Sequence, residues 1–513
     1  MDGPKVNWKV FDEIMQELKE GDRPQLLNIG SCGLHIVHGA FKAGVKATGW
    51  NVSEFFRSAY YLFRDSPARR QDYSQLTGLD KFPLKFCDVR WIENSAVSRR
   101  AENNAGNLET YVKQLEDLKK SEERESGKKK TAEERAQSNK NKAMLTVMEA
   151  KNFQILANAV KDEMFLPKVA FFGFLADEME PFLTKFQTDR PMIPFLYSEL
   201  SALIHNLASR VVKEEVLLQT AAINVDCSRS ENLIPGKNID LGFATINALK
   251  NNSKSPSEKQ VLVFRRDCRD CIVTVLQKLK VKSPLNYKLT KAVSCFDPVL
   301  VRDSPDVAKA RFQTCLEILV EKMWVSPSKA ENAKKEFTGL CHTDSVLVKD
   351  LFRSYTRDTC RVDTFWVNVL SHSPAPNFFD VLKQILIMSH GQGSLERGFS
   401  VNDECLVPNL QEKSLTGQRI VYDSVMSRGG VGKIVIDKRM IHDARNAYGQ
   451  YKHYLEEKNR KDKEAQTKTD SKKRAAKELI EAQAKKSKIL SDCSEMSAQL
   501  DERIFELKNI LRS

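Results

Sequence analysis

Ser389-His-Gly-Gln-Gly-Ser-Leu-Glu-Arg-Gly-Phe-Ser400 follows an apolar run, Phe378-Phe-Asp-Val-Leu-Lys-Gln-Ile-Leu-Ile-Met388. Phe378, Phe379, Leu382, Ile385 and Leu386 recur at helical spacing, which predicts a buried helix. His390-Gly-Gln-Gly-Ser394 then breaks it with two glycines. Ser394 suits the start of a second helix, with Glu396 and Arg397 in its first turn. A carboxylate held there, behind a packed helix, is placed to face a site. It also has a purely structural use, since an acidic side chain favours the positive end of the helix dipole.

Working outward to the N-terminal side, Trp8, Phe11, Ile14, Met15 and Leu18 carry a helical pattern over residues 5–20, stopped by Gly21-Asp22. Gln25-Leu-Leu-Asn-Ile-Gly30 is short, apolar and bounded by Pro24 and Gly30, which predicts a strand. A helix follows from Leu34 through Lys42. This order suits the beginning of an α/β sheet domain. From Trp50 onward the pattern is helical. Phe55, Phe56, Ala59, Tyr60 and Phe63 form one stripe, and Phe165-Leu-Pro-Lys-Val-Ala-Phe-Phe-Gly-Phe-Leu175 is the most apolar segment of the chain. Further helices are predicted near 261–282, 304–323, 328–338 and 344–355. Residues 119–142 alternate Lys, Glu and Arg and read as a solvated helix or a loop. Residues 224–260 read as a loop or subdomain boundary.

The charge balance is +13 with 81 basic against 68 acidic residues in 513. A basic surface favours polyanions such as nucleic acid. No apolar run reaches the ~20 residues of a membrane span. Eleven cysteines, odd in number and mostly inside apolar segments, predict reduced thiols rather than a disulfide scaffold. Arg428-Gly-Gly-Val-Gly432 lacks the Lys-Ser/Thr ending of a phosphate loop. Residues 440–513 are dense in Ala, Glu, Lys and Leu, with no Pro and no Gly after Gly449. They predict a long charged helix. Ile489, Met496, Leu500, Ile504, Leu507 and Leu511 form a stripe able to pair as a coiled coil.

Cys32 and His35 sit one helical turn apart, and Cys268-Arg-Asp-Cys271 is the one C-x-x-C. A zinc site needs about four ligands, so both pairs also read as core thiols. Lys128-Lys-Lys130 and Lys472-Lys-Arg474 suit phosphate contact or nuclear localisation, and equally suit solvated charge.

Ser394-Leu-Glu-Arg-Gly-Phe-Ser400 resembles the S-x-E-R-x-F-S block of the hAT (hobo–Activator type) DNA transposases. Asp363-Thr-Phe-Trp366 stands upstream, where that family has an aspartate followed by aromatics. Cys32-Gly-Leu-His35 is similar to its C-x-x-H block, Arg90-Trp91 to its R-W block, and Met1-Asp-Gly-Pro-Lys-Val-Asn7 to the stretch bearing its second catalytic aspartate. The resemblance runs from residue 1 to about 427. It implies a partial RNase H-like domain built from residues 1–45 and 371–427, interrupted by a helical insertion over 46–370. The second part would carry a dimerisation region, and the long helix of 440–513 would follow.

The resemblance further implies Asp2 and Glu396 as two of three catalytic carboxylates that hold Mg²⁺ or Mn²⁺. The first aspartate has no counterpart in this sequence, which would suit an N-terminally truncated or domesticated relative without catalysis. No other cofactor is expected. Arg90 and Trp91 would contact DNA, the Trp by stacking near a base; the alternative is a buried Trp that anchors a loop to the helical domain. Cys32, His35 and Arg397 would be structural. The function implied is a nuclear protein that self-associates and binds DNA with low specificity. The rival expectation is a helical interaction scaffold with a coiled-coil tail and no nucleic-acid role.

Overall fold

A computed structural model describes residues 5–125, 131–252, 254–407 and 412–512, without the side chains of residues 5, 394–396, 412, 413 and 509–512. Asp2 and Lys128-Lys-Lys130 lie outside the described residues. So does the side chain of Glu396, although its backbone is helical. Contacts divide the chain into two units, Met1–Val401 and Asn402–Ser513.

Helices form nearly everything in the first unit. Those that carry its architecture are α1 (Lys5–Glu20), α2 (Gly33–Ala47), α3 (Val52–Arg64), α4 (Ser95–Arg124), α5 (Phe165–Phe186), α6 (Glu258–Lys282), α7 (Pro376–Leu386) and the start of α8 (Gly393–Cys405). The central element is α5. Phe171, Phe172, Leu175, Ala176 and Met179 are all buried, so its apolar side chains face neighbours on several sides, as expected of a helix inside a core. Phe172 meets Phe41 of α2 edge-on at 5.1 Å and Phe56 of α3 at 5.3 Å. On α6, Cys268, Cys271, Ile272, Val275 and Leu279 make the buried face at three- and four-residue steps.

The crossing of α2 and α6 depends on Gly44. A Cβ there would sit 2.5 Å from Val275 Cγ2 and 2.8 Å from the Cys271 carbonyl oxygen. Only a hydrogen side chain lets the two backbones approach so closely. The N-terminus of α6 is closed by a capping box, in which Ser257 and Gln260 bond each other's backbone N–H groups.

The strand expected at residues 25–30 is not formed. Among the described residues there is no strand, only an isolated antiparallel bridge between Val212 and Leu233. Other partners take the polar groups that a ladder would need. Gln25 N–H donates to the Lys322 carbonyl at 3.0 Å, and Trp324 Nε1 donates to the Gln25 carbonyl at 2.5 Å. Thr290 Oγ1 donates to the Ile29 carbonyl at 3.3 Å. Gly30 closes the segment with φ +90°, where a Cβ would lie 2.7 Å from the Tyr287 ring. The described fold is therefore mostly helical, and the α/β portion expected of residues 1–45 and 371–427 lacks its sheet.

The helix predicted over the apolar run is present as α7. Phe378, Val381, Leu382 and Ile385 are buried, and the Phe378 ring contacts those of Phe337 at 5.2 Å and Trp366 at 5.1 Å. The charged stretch after residue 118 is helical on both sides of the undescribed residues. Glu122 accepts from Ser138 at 2.6 Å and from Asn141 at 2.7 Å, tying the helix Ala132–Leu145 to α4. In the second unit, α9 (Lys438–Arg512) is one 75-residue helix. No described helix is long and apolar enough to cross a membrane.

Candidate functional site

Three segments far apart in sequence meet at the N-terminal end of α2. The first is Cys32 with His35 and His38. Burial alone would raise the Cys32 thiol pKa. Hydrogen bonds from the His35 side chain and backbone, and from the backbone of Gln392, outweigh burial, so the pKa falls below the ordinary thiol range. A Cβ on Gly391 would lie 3.4 Å from Cys32 Sγ and one on Gly393 3.8 Å from Leu34 Cδ1. The Gly391–Gly393 turn therefore rests directly on the first turn of α2.

The second segment is Arg90-Trp91. Its charge bears on His38, which burial, Arg90 and His35 together hold neutral down to about pH 4. His38 Nδ1 is buried with no hydrogen-bond partner. Arg90 pairs with Glu93 at 3.4 Å, and Gln187 Nε2 donates to the same carboxylate at 3.3 Å. Trp91 is 2% exposed. Its Nε1 donates to the Asp88 carbonyl at 2.9 Å, its ring meets Phe86 at 5.4 Å, and Lys42 Nζ lies 5.3 Å over it. In this conformation Trp91 offers no face to a base. Of the two readings that the sequence leaves open, this conformation matches the buried anchor, with the ring packed among Phe86 and Lys42.

The third segment is residues 389–397. His390 Nε2 lies 3.0 Å from the Phe186 carbonyl at the end of α5 and so carries the proton there. Burial lowers the His390 pKa, partly offset by that hydrogen bond. Arg397 pairs with Asp189 in the turn after α5. Beside them opens a groove of about 750 Å³, lined among others by Asp189, Arg361, Asp363, Phe379, Leu386 and His390. Arg361 holds Asp363 at 2.7 Å and keeps its carboxyl below the usual range. Trp366 of the same block is fully buried, donating to the Phe296 carbonyl at 2.9 Å.

The sequence-predicted residues thus divide. Cys32, His35, Arg90 and Arg397 stand around one junction, with Asp363 across the neighbouring groove. Asp2 and the Glu396 carboxylate lie outside the described residues. No group of three or more His, Cys, Asp or Glu side chains among the described residues is arranged to hold a metal ion. Cys268 and Cys271 are enclosed in the core, and burial pushes both thiols well up. Such protonated thiols are poor metal ligands. His38, Asp189 and Arg361 join the site without a sequence signal. Asp189 sits in what reads only as a turn, and His38 lies one turn beyond the recognisable pair. No known family model matches this chain, and neither a curated protein nor a solved structure gives a match.

Proposed function

We propose that this chain derives from an hAT-type transposase and acts as a self-associating, low-specificity DNA-binding protein of the nucleus that does not cut DNA. The observation that carries the reading is the meeting of the C-x-x-H and R-W blocks with the residues that lead into the S-x-E-R block, with Gln392 bonded to Cys32 and Arg90 acting on His38. An accidental likeness of three short segments gives no reason for them to converge. The charge balance of +13 supplies the attraction to a phosphate backbone.

A second reading, an interaction scaffold without nucleic acid, is favoured by α9, whose exposed length suits a protein partner. Titration of a labelled 30-base-pair duplex with the purified chain, at sodium chloride concentrations from about 50 to 200 mM, separates the two. The proposal expects log affinity to fall linearly with log salt, by about 0.9 per phosphate contacted. Absence of binding at the lowest salt favours the scaffold.

A further inference from the structure

From residue 459 to 508, α9 is exposed on every face. Heptads counted from Ile441 place Ile441, Tyr448 and Leu455 at a, and Ala444 and Tyr451 at d. The same count, unbroken, places Leu490 and Ile504 at a, and Cys493, Leu500 and Leu507 at d. Between these apolar blocks the seam carries Lys458, Asp462, Lys472 and Lys486. Both blocks lie on one continuous helix, their centres about 75 Å apart at 1.5 Å per residue. They cannot meet within one chain.

We propose that α9 pairs with α9 of a second copy as an antiparallel coiled coil in which Ile441 faces Leu507. This rests on the self-association part of the reading above and assigns its surface and direction. In antiparallel pairs an a residue faces a d residue of the partner helix. Tyr448 then meets Leu500, Leu455 meets Cys493, and Asp462 meets Lys486. The flanking positions agree, with Tyr454 beside Met496 and Arg445 beside Asp501. A parallel, in-register pair sets Lys458, Asp462, Lys472 and Lys486 each against its own copy, four layers of like charge in the seam. Sliding the antiparallel partner by one heptad sets Asp462 against Leu479 or Cys493 and strands its charge. The Asp462–Lys486 match favours this register, which leaves Lys458 against Leu490 and Lys472 against Ala476, lysines whose stems carry the charge to the seam edge.

The full chain carrying Leu455→Cys tests the arrangement. Mild oxidation at micromolar concentration should give a disulfide-linked dimer, with peptide mapping joining position 455 to Cys493. The unsubstituted chain should give no Cys493–Cys493 link. Asp462→Lys should weaken the dimer about tenfold or more, the scale of a close interfacial charge pair. Adding Lys486→Asp to it should restore the affinity. A Cys493–Cys493 link in the unsubstituted chain overturns the antiparallel arrangement. So does a dimer by light scattering that lacks the 455–493 link, although self-association then stands. A monomer under the same conditions overturns both.

Discussion

His38 carries a pH dependence that its surroundings dictate. Unfolded, the imidazole takes a proton near pH 6.5. In the fold, burial with the like charges of Arg90 and His35 delays this to about pH 4. Between those values the unfolded chain binds more protons, so stability rises with pH across the window and is lost as pH falls through it. A shift of this size corresponds to about 3 kcal/mol when fully expressed. The urea midpoint should therefore drop between pH 7 and pH 5, and His38→Gln should flatten that drop. An equal drop in both proteins would mean that His38 does not carry it. His390, whose pKa burial also lowers, contributes in the same direction. None of this was legible in the sequence. The protonation of His38 is decided first by burial and then by Arg90, both of which act only through the fold.

At the scale of elements, the helices at 5–20, 261–282 and 378–386 were legible because the apolar residues of each recur at helical spacing, buried in the latter two and half-buried in the first. The segment 25–30 was misread for the opposite reason. Six residues between Pro24 and Gly30 have no period to speak of, and their conformation is decided by the helix end at Lys322 and by Thr290. The crossing of α2 on α6 was equally hidden, because nothing in Gly44 announces a contact with Val275. That crossing is open to test. Gly44→Ala places a methyl 2.5 Å from Val275 Cγ2 and 2.8 Å from backbone, so neither neighbour can yield by a simple side-chain swing. The overpacking should cost about 1–3 kcal/mol, read as a lower denaturant midpoint with unchanged slope. A neutral result would show that the two helices can part without loss. Gly39, on the same helix with open space around its Cβ position, is the control: Gly39→Ala should not destabilise and should gain slightly from the lower entropy of the unfolded chain.

For the whole molecule the question is what the junction can do with the acids described around it. Phosphodiester cutting of this type needs two divalent ions about 3.5–4 Å apart, bridged and flanked by carboxylates. Among the described residues around the junction, three acids are each paired with an arginine. Asp189 is paired with Arg397, Glu93 with Arg90, and Asp363 with Arg361. These pairs are exposed and individually weak, but Mg²⁺, which gives up its water reluctantly, would have to draw each carboxylate off its arginine. In the proposed reading the basic excess of the chain contacts DNA by charge alone, which would position a backbone without breaking it. Supercoiled plasmid incubated with the full chain and Mg²⁺ or Mn²⁺ should therefore stay uncut while remaining bound at low salt. The Glu396→Gln variant serves as the control and should behave identically. Metal-dependent nicking that disappears in Glu396→Gln would refute the non-catalytic reading. It would require one of these paired acids, Asp363 first among them, to leave its arginine for the metal.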